Sequence, residues 1–448
     1  MKSRGYGKIK KMKFGAAVLI SLPLFAASVD DWPRWRGPMN TGVARGDAPA
    51  EFSDTKNVAW KKEIPGRGFS SPVLWADKLF LTTAIPVKKA EAAPEGAPDE
   101  GRKRGRGGPG GGLGSGIEHK FVVMALDRKS GKILWEQVAA QATPGEGYHQ
   151  RYGSFASNSP VTDGKHVWAS FGSRGVYCYD INGKLIWKKN DFKEMKMRLQ
   201  FGEGAATVLS GDTLLLNFDQ ESGSFLIALD KATGKELWKV DRDEQSSWGT
   251  PLVVEHAGQQ QVIVSATKKV RSYDLKDGKL IWECAGLGGN VIPAPIVQNG
   301  IAYVMSGFRD PNLMAIKLGR KGDLTGTDAI LWTNQRGNSY TASPVFYQEK
   351  LYFISDSGML TCLDAKTGKP FYLQQRLPKA YSFKSSPIAV NGKLYLATEN
   401  DDVVVVKLGE TFEVIATNTM KDQSFIATPA VMDGTLYLRS ETTLFAIH

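Results

Sequence analysis

The sequence predicts an all-β fold, an eight-bladed β-propeller of four-stranded antiparallel blades. Three observations lead to this prediction. One phrase recurs about every 45 residues, its short apolar segments are joined by glycine-containing turns, and a tryptophan closes most of its copies. A period near 45 residues built from short strands is typical of propeller blades.

The recurring phrase opens with a Ser/Thr-Pro-Val strand and continues through Leu-Tyr, Ala-Leu-Asp, Thr-Gly-Lys and Leu-Trp. One residue anchors the first strand of each copy: Pro72, Pro160, Thr207, Pro251, Pro295, Pro344, Pro387 and Pro429. Successive anchors lie 42 to 49 residues apart, apart from a first interval of 88 residues. Eight anchors predict eight blades.

The long first interval holds one repeat and an insertion. Residues 86–118 are rich in Gly, Pro, Ala and charge and poor in residues that could pack. Such a segment buries too little apolar surface to offset the entropy of ordering. We therefore predict a disordered Gly/Pro/Arg-rich insertion in the first blade.

Four strands, A to D, are expected in each repeat. In the sixth copy, A covers 343–347, B covers 351–355, C covers 359–365, and D begins at Pro370. The Asn-Gly at 391–392 and the Asp-Gly at 433–434 favour tight hairpins. The last copy ends after strand C, and the strand around Trp60 is predicted to complete it and close the ring. Closure would remove an open sheet edge.

The N-terminus reads as an export signal. Residues 1–28 hold six basic residues and no acid, with an apolar run at 14–27 and an Ala-x-Ser site before Val29. This pattern predicts a cleaved signal peptide at 1–28, an arm at 29–55 and the propeller at 56–448. We expect a periplasmic or secreted protein with no transmembrane span.

Net charge and cysteine usage exclude several classes of function. Six of the eleven net positive charges lie in residues 1–28 and one lies in the insertion, so the propeller and its arm are nearly balanced. No nucleic-acid partner is predicted. Three dispersed cysteines, Cys178, Cys284 and Cys362, exclude a disulfide scaffold and are expected to be buried free thiols.

The periodic tryptophans and aspartates are interpreted as structural. Each tryptophan should wedge against the neighbouring blade, and each aspartate should accept hydrogen bonds from a local turn. The tryptophans are Trp135, Trp187, Trp238, Trp282 and Trp332, and the aspartates are Asp127, Asp180, Asp230, Asp274 and Asp364.

The residues just before each anchor should converge at one mouth of the central channel. Several segments carry an aromatic ring at a similar offset, including Phe155, Phe383 and Phe425, and rings at such a position can also be simple packing. The predicted ligand-binding set is Arg67, Phe69, Arg151, Asn158, Glu203, Trp248, Asn290, Tyr340 and Lys384. Aromatic faces with polar groups suit a planar quinone, a sugar or an extended peptide.

No catalytic residue or metal site is assigned from the sequence. Glu203 and Asn290 are the best metal-ligand candidates, but two residues do not define a Ca²⁺ site. His149 has no partner at ligand or triad spacing, and the acidic run 399–402 is interpreted as a turn in blade seven.

The segments 125–135, 228–238 and 362–372 carry Ala/Cys-Leu-Asp-x-x-Thr/Ser-Gly-Lys-x-x-Trp/Tyr. This motif resembles the tryptophan-docking motif of the pyrroloquinoline-quinone (PQQ)-type eight-bladed propellers, and the resemblance covers about residues 55–448. It implies two groups, the quinoprotein dehydrogenases that bind PQQ and Ca²⁺ and the non-catalytic outer-membrane assembly propellers. Fold alone does not choose between them.

The resemblance also implies what a dehydrogenase would carry. Those enzymes stack PQQ between a tryptophan and a disulfide of adjacent cysteines, and this chain has neither a Cys-Cys pair nor a Cys-x-x-Cys-His haem motif. We therefore place it nearer the non-catalytic group, as a monomeric exported binding or scaffold module of the cell envelope. An envelope protein or peptide, or a small-molecule or carbohydrate ligand, is expected at the channel mouth. The alternative is a PQQ- and Ca²⁺-dependent alcohol or sugar dehydrogenase.

Overall fold

The computed structural model describes Met1 and residues 31–87 and 113–448. The predicted signal peptide at 1–28 lies outside the described residues apart from Met1. Residues 88–112 of the predicted insertion also lie outside them. The two ends of that insertion are described. Pro86 ends a strand, and the amide N–H of Val87 donates to the carbonyl of Glu118 at 2.8 Å.

Eight four-stranded antiparallel sheets follow one another along the chain, which confirms the predicted propeller. Strands A, which line the channel, are Val73–Trp75, Val161–Thr162, Val208–Ser210, Leu252–His256, Ile296–Gln298, Val345–Tyr347, Ile388–Val390 and Ala430–Met432. Strands B are Lys78–Pro86, His166–Ser170, Thr213–Phe218, Gln259–Val264, Ile301–Ser306, Lys350–Ile354, Lys393–Ala397 and Thr435–Arg439. Strands C are His119–Asp127, Val176–Asp180, Ser224–Asp230, Val270–Asp274, Asn312–Lys317, Met359–Asp364, Asp402–Lys407 and Thr443–Ile447. Strands D are Ile133–Ala142, Leu185–Lys189, Glu236–Arg242, Leu280–Cys284, Ile330–Asn334, Pro370–Arg376, Val414–Thr419 and Val58–Glu63.

Two short strands and two short helices complete the described secondary structure. Val43–Ala44 pairs in parallel with strand A of blade seven, and Gly322–Asp323 pairs in parallel with strand D of blade four. The 3-10 helices are Gly172–Arg174 and Arg198–Gln200. Within the described part of the chain, no helix has the length and apolar character needed to cross a membrane.

The ring closes as the sequence predicts. Val58–Glu63 pairs antiparallel with Thr443–Ile447, so the strand that carries Trp60 is strand D of blade eight. Strands A of blades eight and one also contact each other. Residues near the two ends of the chain therefore share one sheet, and the propeller has no open blade at the junction.

The core lies between blades rather than within them. One apolar cluster joins blades six and seven through residues such as Tyr352, Leu360, Leu394 and Val404. Another cluster combines residues of the arm with residues of blades one, seven and eight. Because each sheet buries both faces against its neighbours, strands B and C are almost continuously apolar.

Each docking tryptophan reaches the next blade through its indole N–H. The acceptor is the carbonyl of the residue that follows the motif aspartate in that blade. The pairs are Trp60 to Arg128 at 3.0 Å, Trp135 to Ile181 at 3.1 Å, Trp187 to Lys231 at 2.9 Å, Trp238 to Leu275 at 2.9 Å and Trp332 to Ala365 at 3.1 Å. The recurring tryptophan thus links neighbouring blades by a hydrogen bond.

Trp282 departs from this pattern. Its ring lies in an apolar cluster shared with blade five, but its N–H donates to the Gln261 side chain of its own blade at 3.0 Å. Blade five has lost the Asp-x-x-Thr-Gly turn that offers the usual carbonyl, so the indole N–H is satisfied locally instead.

The motif glycine and aspartate shape the turn that receives the tryptophan. Gly131 has a φ of +69°, and a Cβ there would lie 2.5 Å from the Trp60 ring, so only glycine fits. Asp127 accepts hydrogen bonds from the amide and hydroxyl of Ser130 at 2.8 and 2.6 Å. These bonds hold the pKa of Asp127 below its ordinary value. The prediction of locally bonded aspartates is confirmed here.

The three cysteines are free and buried, as the sequence predicts. Burial raises the pKa of Cys178 and of Cys362 to about 12, and that of Cys284 to about 11. The thiols are therefore protonated at neutral pH and unreactive.

We predict that Gly131→Ala destabilises the protein far more than Gly392→Ala. Both glycines have positive φ, at +69° and +74°, but a Cβ at Gly392 meets nothing within 4 Å. The control should lose about 1–2 kcal/mol from backbone strain alone. Gly131→Ala should lose a further 1–3 kcal/mol, roughly, because the docked Trp60 must move. Equal losses in urea unfolding would show that the Trp60 contact contributes nothing to ring closure.

Candidate functional site

The N-terminal arm runs through the central channel. Trp32 exchanges backbone hydrogen bonds with Leu74 in strand A of blade one, at 3.0 and 2.8 Å. The carbonyl of Pro33 accepts from Thr162 of blade two at 2.9 Å, and the Arg34 side chain donates to the carbonyl of Leu209 in blade three at 2.9 Å. The arm therefore crosses several strands A in succession.

The arm leaves the channel on the opposite side of the ring. The Arg36 guanidinium donates to the carbonyls of Pro344 and Thr41, and Ala389 of blade seven donates to the carbonyl of Gly42. Arg36 is fully buried, no carboxylate of the described residues forms an ion pair with it, and this burial lowers its pKa to about 9. The predicted arm is thus a built-in plug of the channel.

Above this plug lies a cavity of about 200 Å³. All eight of the segments that precede the anchors contribute to its wall, which places them together as the sequence predicts. Trp35 of the arm also lines the cavity, and its indole N–H donates to the Thr428 hydroxyl at 3.1 Å. We call this cavity at the channel mouth the cup, and Trp35 of the arm forms part of its wall.

Five of the nine predicted ligand-binding residues line this cavity. They are Phe69, Glu203, Trp248, Tyr340 and Lys384. Each comes from the segment before a different anchor, so the repeat brings them together from blades one, three, four, six and seven. Their role in binding stays a prediction.

The other four predicted residues lie around the cavity. Arg67 lies behind Phe69, with its guanidinium 5.2 Å from the ring centroid, and it bonds to Glu441 at 2.8 Å. The Arg151 side chain is 71% exposed at the rim. Asn158 lines two smaller cavities that adjoin Glu203. Asn290 is buried, and its backbone N–H donates to the Thr267 hydroxyl at 3.1 Å.

The remaining rings of the predicted aromatic rim are packing residues. Phe383 and Phe425 are fully buried, and Phe155 contacts Tyr148 edge-on at 4.7 Å between centroids. A similar offset before the anchor therefore does not place a ring in the cavity.

Sequence reasoning missed four aromatic residues of the cavity: Trp35, His149, Tyr152 and Phe201. The His149 and Tyr152 rings stack at 3.5 Å between centroids with 12° between their planes. The Nδ1 atom of His149 accepts the backbone N–H of Arg151 at 3.2 Å. A neutral ring in this arrangement carries its proton on Nε2.

The charged groups of the cavity are paired. The Lys384 ammonium lies 2.6 Å from Asp356 and 3.6 Å from Glu399, and Glu399 also contacts Arg151 at 3.4 Å. Glu203 accepts from Arg174 at 2.5 Å and from the hydroxyl of Ser173 at 2.6 Å. Burial raises the pKa of Glu203, and Arg174 opposes that rise.

These pairings bear on the metal-ligand candidates. An arginine already neutralises the carboxylate of Glu203, and Asn290 does not line the cavity. This donor set does not fit a Ca²⁺ ion, which prefers several free carboxylate and carbonyl oxygens. Across residues 31–87 and 113–448, no group of three or more His, Cys, Asp or Glu side chains is placed to hold a metal ion.

The fold and the cup define a repeat propeller with a ligand-sized mouth. The profile of the family described as "Outer membrane protein assembly factor BamB" matches residues 119–226 and 223–448. The chain belongs to this family of PQQ-type repeat propellers.

Three known proteins illustrate what this chain is similar to. Tetrathionate hydrolase of Acidithiobacillus ferrooxidans is 23% identical over 312 residues, which cover 64% of this chain and 55% of that protein. This chain therefore matches only about half of that relative's length. BamB of Yersinia pestis is 19% identical over 343 residues, 73% of this chain and 80% of that one.

The third similarity is to a solved structure. Quinohemoprotein alcohol dehydrogenase from Comamonas testosteroni superposes with a TM-score of 0.62 and 11% identity, covering 94% of this chain and 81% of the other. Identity at this level supports the shared fold alone. Assembly proteins and oxidoreductases thus both share the propeller, and the fold does not decide between them.

We predict that His149 makes the protein less stable as the pH falls. Partial burial and the nearby Lys384, Arg151 and Arg67 cations hold the pKa of His149 below its ordinary value. The unfolded chain then binds the proton more readily, so the unfolding free energy should fall as the pH drops below about 6.5. Urea unfolding between about pH 7.5 and 5.5 should show a smaller loss in His149→Gln than in the parent. Burial also lowers the pKa of His119, which keeps part of the slope.

The control for this prediction is Lys384→Met, which removes one of the three cations. The pKa of His149, read from its ring protons by NMR, should rise in that variant. A parent value at or above the ordinary imidazole pKa would contradict the prediction.

Proposed function

We propose that this chain is an exported binding or scaffold module of the cell envelope that holds its ligand or partner at the channel mouth. The observation that carries the proposal is the cup, because all eight pre-anchor segments line it together with Trp35 of the arm. A concave site with aromatic walls and a few fixed polar groups is the usual form of a binding site.

Family membership supports the envelope part of the proposal. Both the family and the Yersinia pestis relative carry the description of an outer membrane assembly factor. The basic and apolar pattern of residues 1–28, followed by the Ala-x-Ser site, supports export. The mature protein would then work outside the cytoplasm.

Occupation of the mouth can be followed without knowing the ligand. The native thiols are buried and protonated, so an introduced Arg151→Cys at the exposed rim is expected to be the main reactive thiol. Leu185→Cys on the outer face of blade two is the matched control. We predict that an envelope extract slows maleimide labelling of Arg151→Cys and leaves Leu185→Cys unchanged.

Fractionation of the extract separates the two kinds of occupant. Protection by the retained fraction of a 10-kDa filter, a size chosen as about that of a small domain, indicates a protein partner. Protection by the filtrate indicates a small ligand. If no fraction slows the labelling of Arg151→Cys more than that of Leu185→Cys, the proposal is overturned.

The alternative function is a PQQ- and Ca²⁺-dependent alcohol or sugar dehydrogenase. The similarity to the alcohol dehydrogenase along 94% of the chain is the observation that favours it. The commitment of Glu203 to Arg174 and Ser173 opposes it.

We predict that PQQ and Ca²⁺ added together produce neither saturable quenching of tryptophan fluorescence nor reduction of an electron-acceptor dye. The dye assay should cover a panel of alcohols and sugars. The reason is that the carboxylate best placed to hold Ca²⁺ already binds an arginine. Saturable quenching with turnover would establish the dehydrogenase and exclude the non-catalytic module.

A further inference from the structure

Five hydroxyl groups form a partial ring around the cup. Each belongs to the residue just before an anchor: Ser71, Ser159, Thr250, Ser386 and Thr428. Each oxygen accepts a backbone N–H from the preceding blade, with donors Thr428, Ser71, Ala206, Ser343 and Ser386 at 2.9, 2.9, 3.1, 2.9 and 3.3 Å. The Ser/Thr-Pro of the repeat therefore links the blades at the axis.

The same geometry leaves the hydroxyl protons for a ligand. An oxygen that accepts an N–H keeps its own O–H to donate, and most keep one lone pair as well. Among the described residues, none of these five hydroxyls donates a hydrogen bond to the protein. The cup thus presents several groups that can both donate and accept.

Aromatic rings with fixed polar edges line the rest of the cup. The indole N–H of Trp248 donates to the carbonyl of Gly202 at 2.7 Å, and that of Trp35 is held by Thr428. The buried Arg36 guanidinium lies 5.8 Å from the Trp35 centroid and does not line the cavity. Tyr152 is held by its stack with His149. The rings are therefore set in place before a ligand arrives.

No charge in the described part of the cup is free to meet a charged ligand. Lys384 lies between Asp356 and Glu399, and Glu203 binds Arg174. An anionic ligand would have to displace a carboxylate from Lys384, and a cationic ligand would have to displace Arg174. Breaking such partly buried pairs is costly. The cup consequently favours an uncharged molecule.

We infer that the cup binds the ring of a neutral saccharide. The CH face of a sugar ring is apolar and packs on the aromatic faces, while its hydroxyls donate to and accept from the Ser/Thr ring. The volume of about 200 Å³ is smaller than the roughly 300–1,000 Å³ of sites for drug-sized ligands. It suits one sugar ring, either free or at the end of a neutral glycan. This inference rests on the proposed function of the mouth.

Isothermal titration of the purified protein tests this inference. The probes are glucose, galactose, mannose, N-acetylglucosamine and maltose, with glucuronate and inorganic phosphate as charged comparators. We expect at least one neutral sugar to bind saturably, with an affinity that changes little with salt because no free charge takes part. Failure of every neutral sugar, or tighter binding of glucuronate or phosphate, would overturn the inference.

Variants locate the binding. Thr250→Val removes one hydroxyl and keeps the shape of the side chain, and it should weaken the bound sugar about tenfold. Thr333→Val on an exposed outer strand is the matched control and should change nothing. Ser386→Ala gives a second test if Thr250→Val is poorly folded, as judged by its melting temperature. Unchanged affinity in both mouth variants would overturn the inference.

The two proposals fail in different ways. Protection of Arg151→Cys by an envelope fraction, without binding of any neutral sugar, overturns the saccharide and leaves the binding module intact. If no envelope fraction protects Arg151→Cys and no neutral sugar binds, both the binding module and the saccharide inference are overturned.

Discussion

The structure depends on one repeated interaction, the docking of an outer tryptophan onto the turn of the next blade. Each bond is modest, since a buried hydrogen bond contributes about 1 kcal/mol net, but the contacts run around a circle. Trp60 makes the contact that joins blade eight to blade one. Because the cup takes residues from all eight blades, it exists only while the ring is closed. The contacts that stabilise the closed ring therefore also maintain the geometry of the mouth.

The arm is the second constraint, because it fills the axial channel that a ring of eight blades leaves. Eight inner strands surround an axial channel, and an empty apolar channel would lose packing contacts. Residues 32–44 fill it and pair with blades one and seven. Arg36 is buried with no carboxylate partner among the described residues, which is unfavourable by itself. Its bonds to the carbonyls of Pro344 and Thr41 offset part of that cost and fix the segment that carries Trp35.

The sequence predicts the repeated part of this architecture and misses the part that does not repeat. The period, the hairpin turns and the outer-strand tryptophan recur in most copies of the repeat. A copy that has lost one of these signals can therefore still be placed by comparison with the others. Trp282 already shows the limit, because its partner depends on a turn lost from the neighbouring blade. The arm occurs once, and nothing in its composition says that it enters the channel. His149 lies 11 residues before Pro160, too far from the anchor for the pattern to place it.

Departures from the repeat are what give the mouth an orientation. A perfectly eightfold channel would present the same groups in every direction and could not fix how a ligand lies. Ala206 and Ala294 replace the hydroxyl residue in blades three and five, and Ser343 of blade six does not line the cavity, so the ring lacks three of eight hydroxyls. The ion pairs around the cup differ in sign and position: Glu203 of blade three pairs with Arg174 of blade two, Lys384 of blade seven pairs with Asp356 of blade six, and Arg67 of blade one pairs with Glu441 of blade eight. The symmetric contacts hold the cup together, and under the proposed function the asymmetric ones would decide which ligand binds and in which pose.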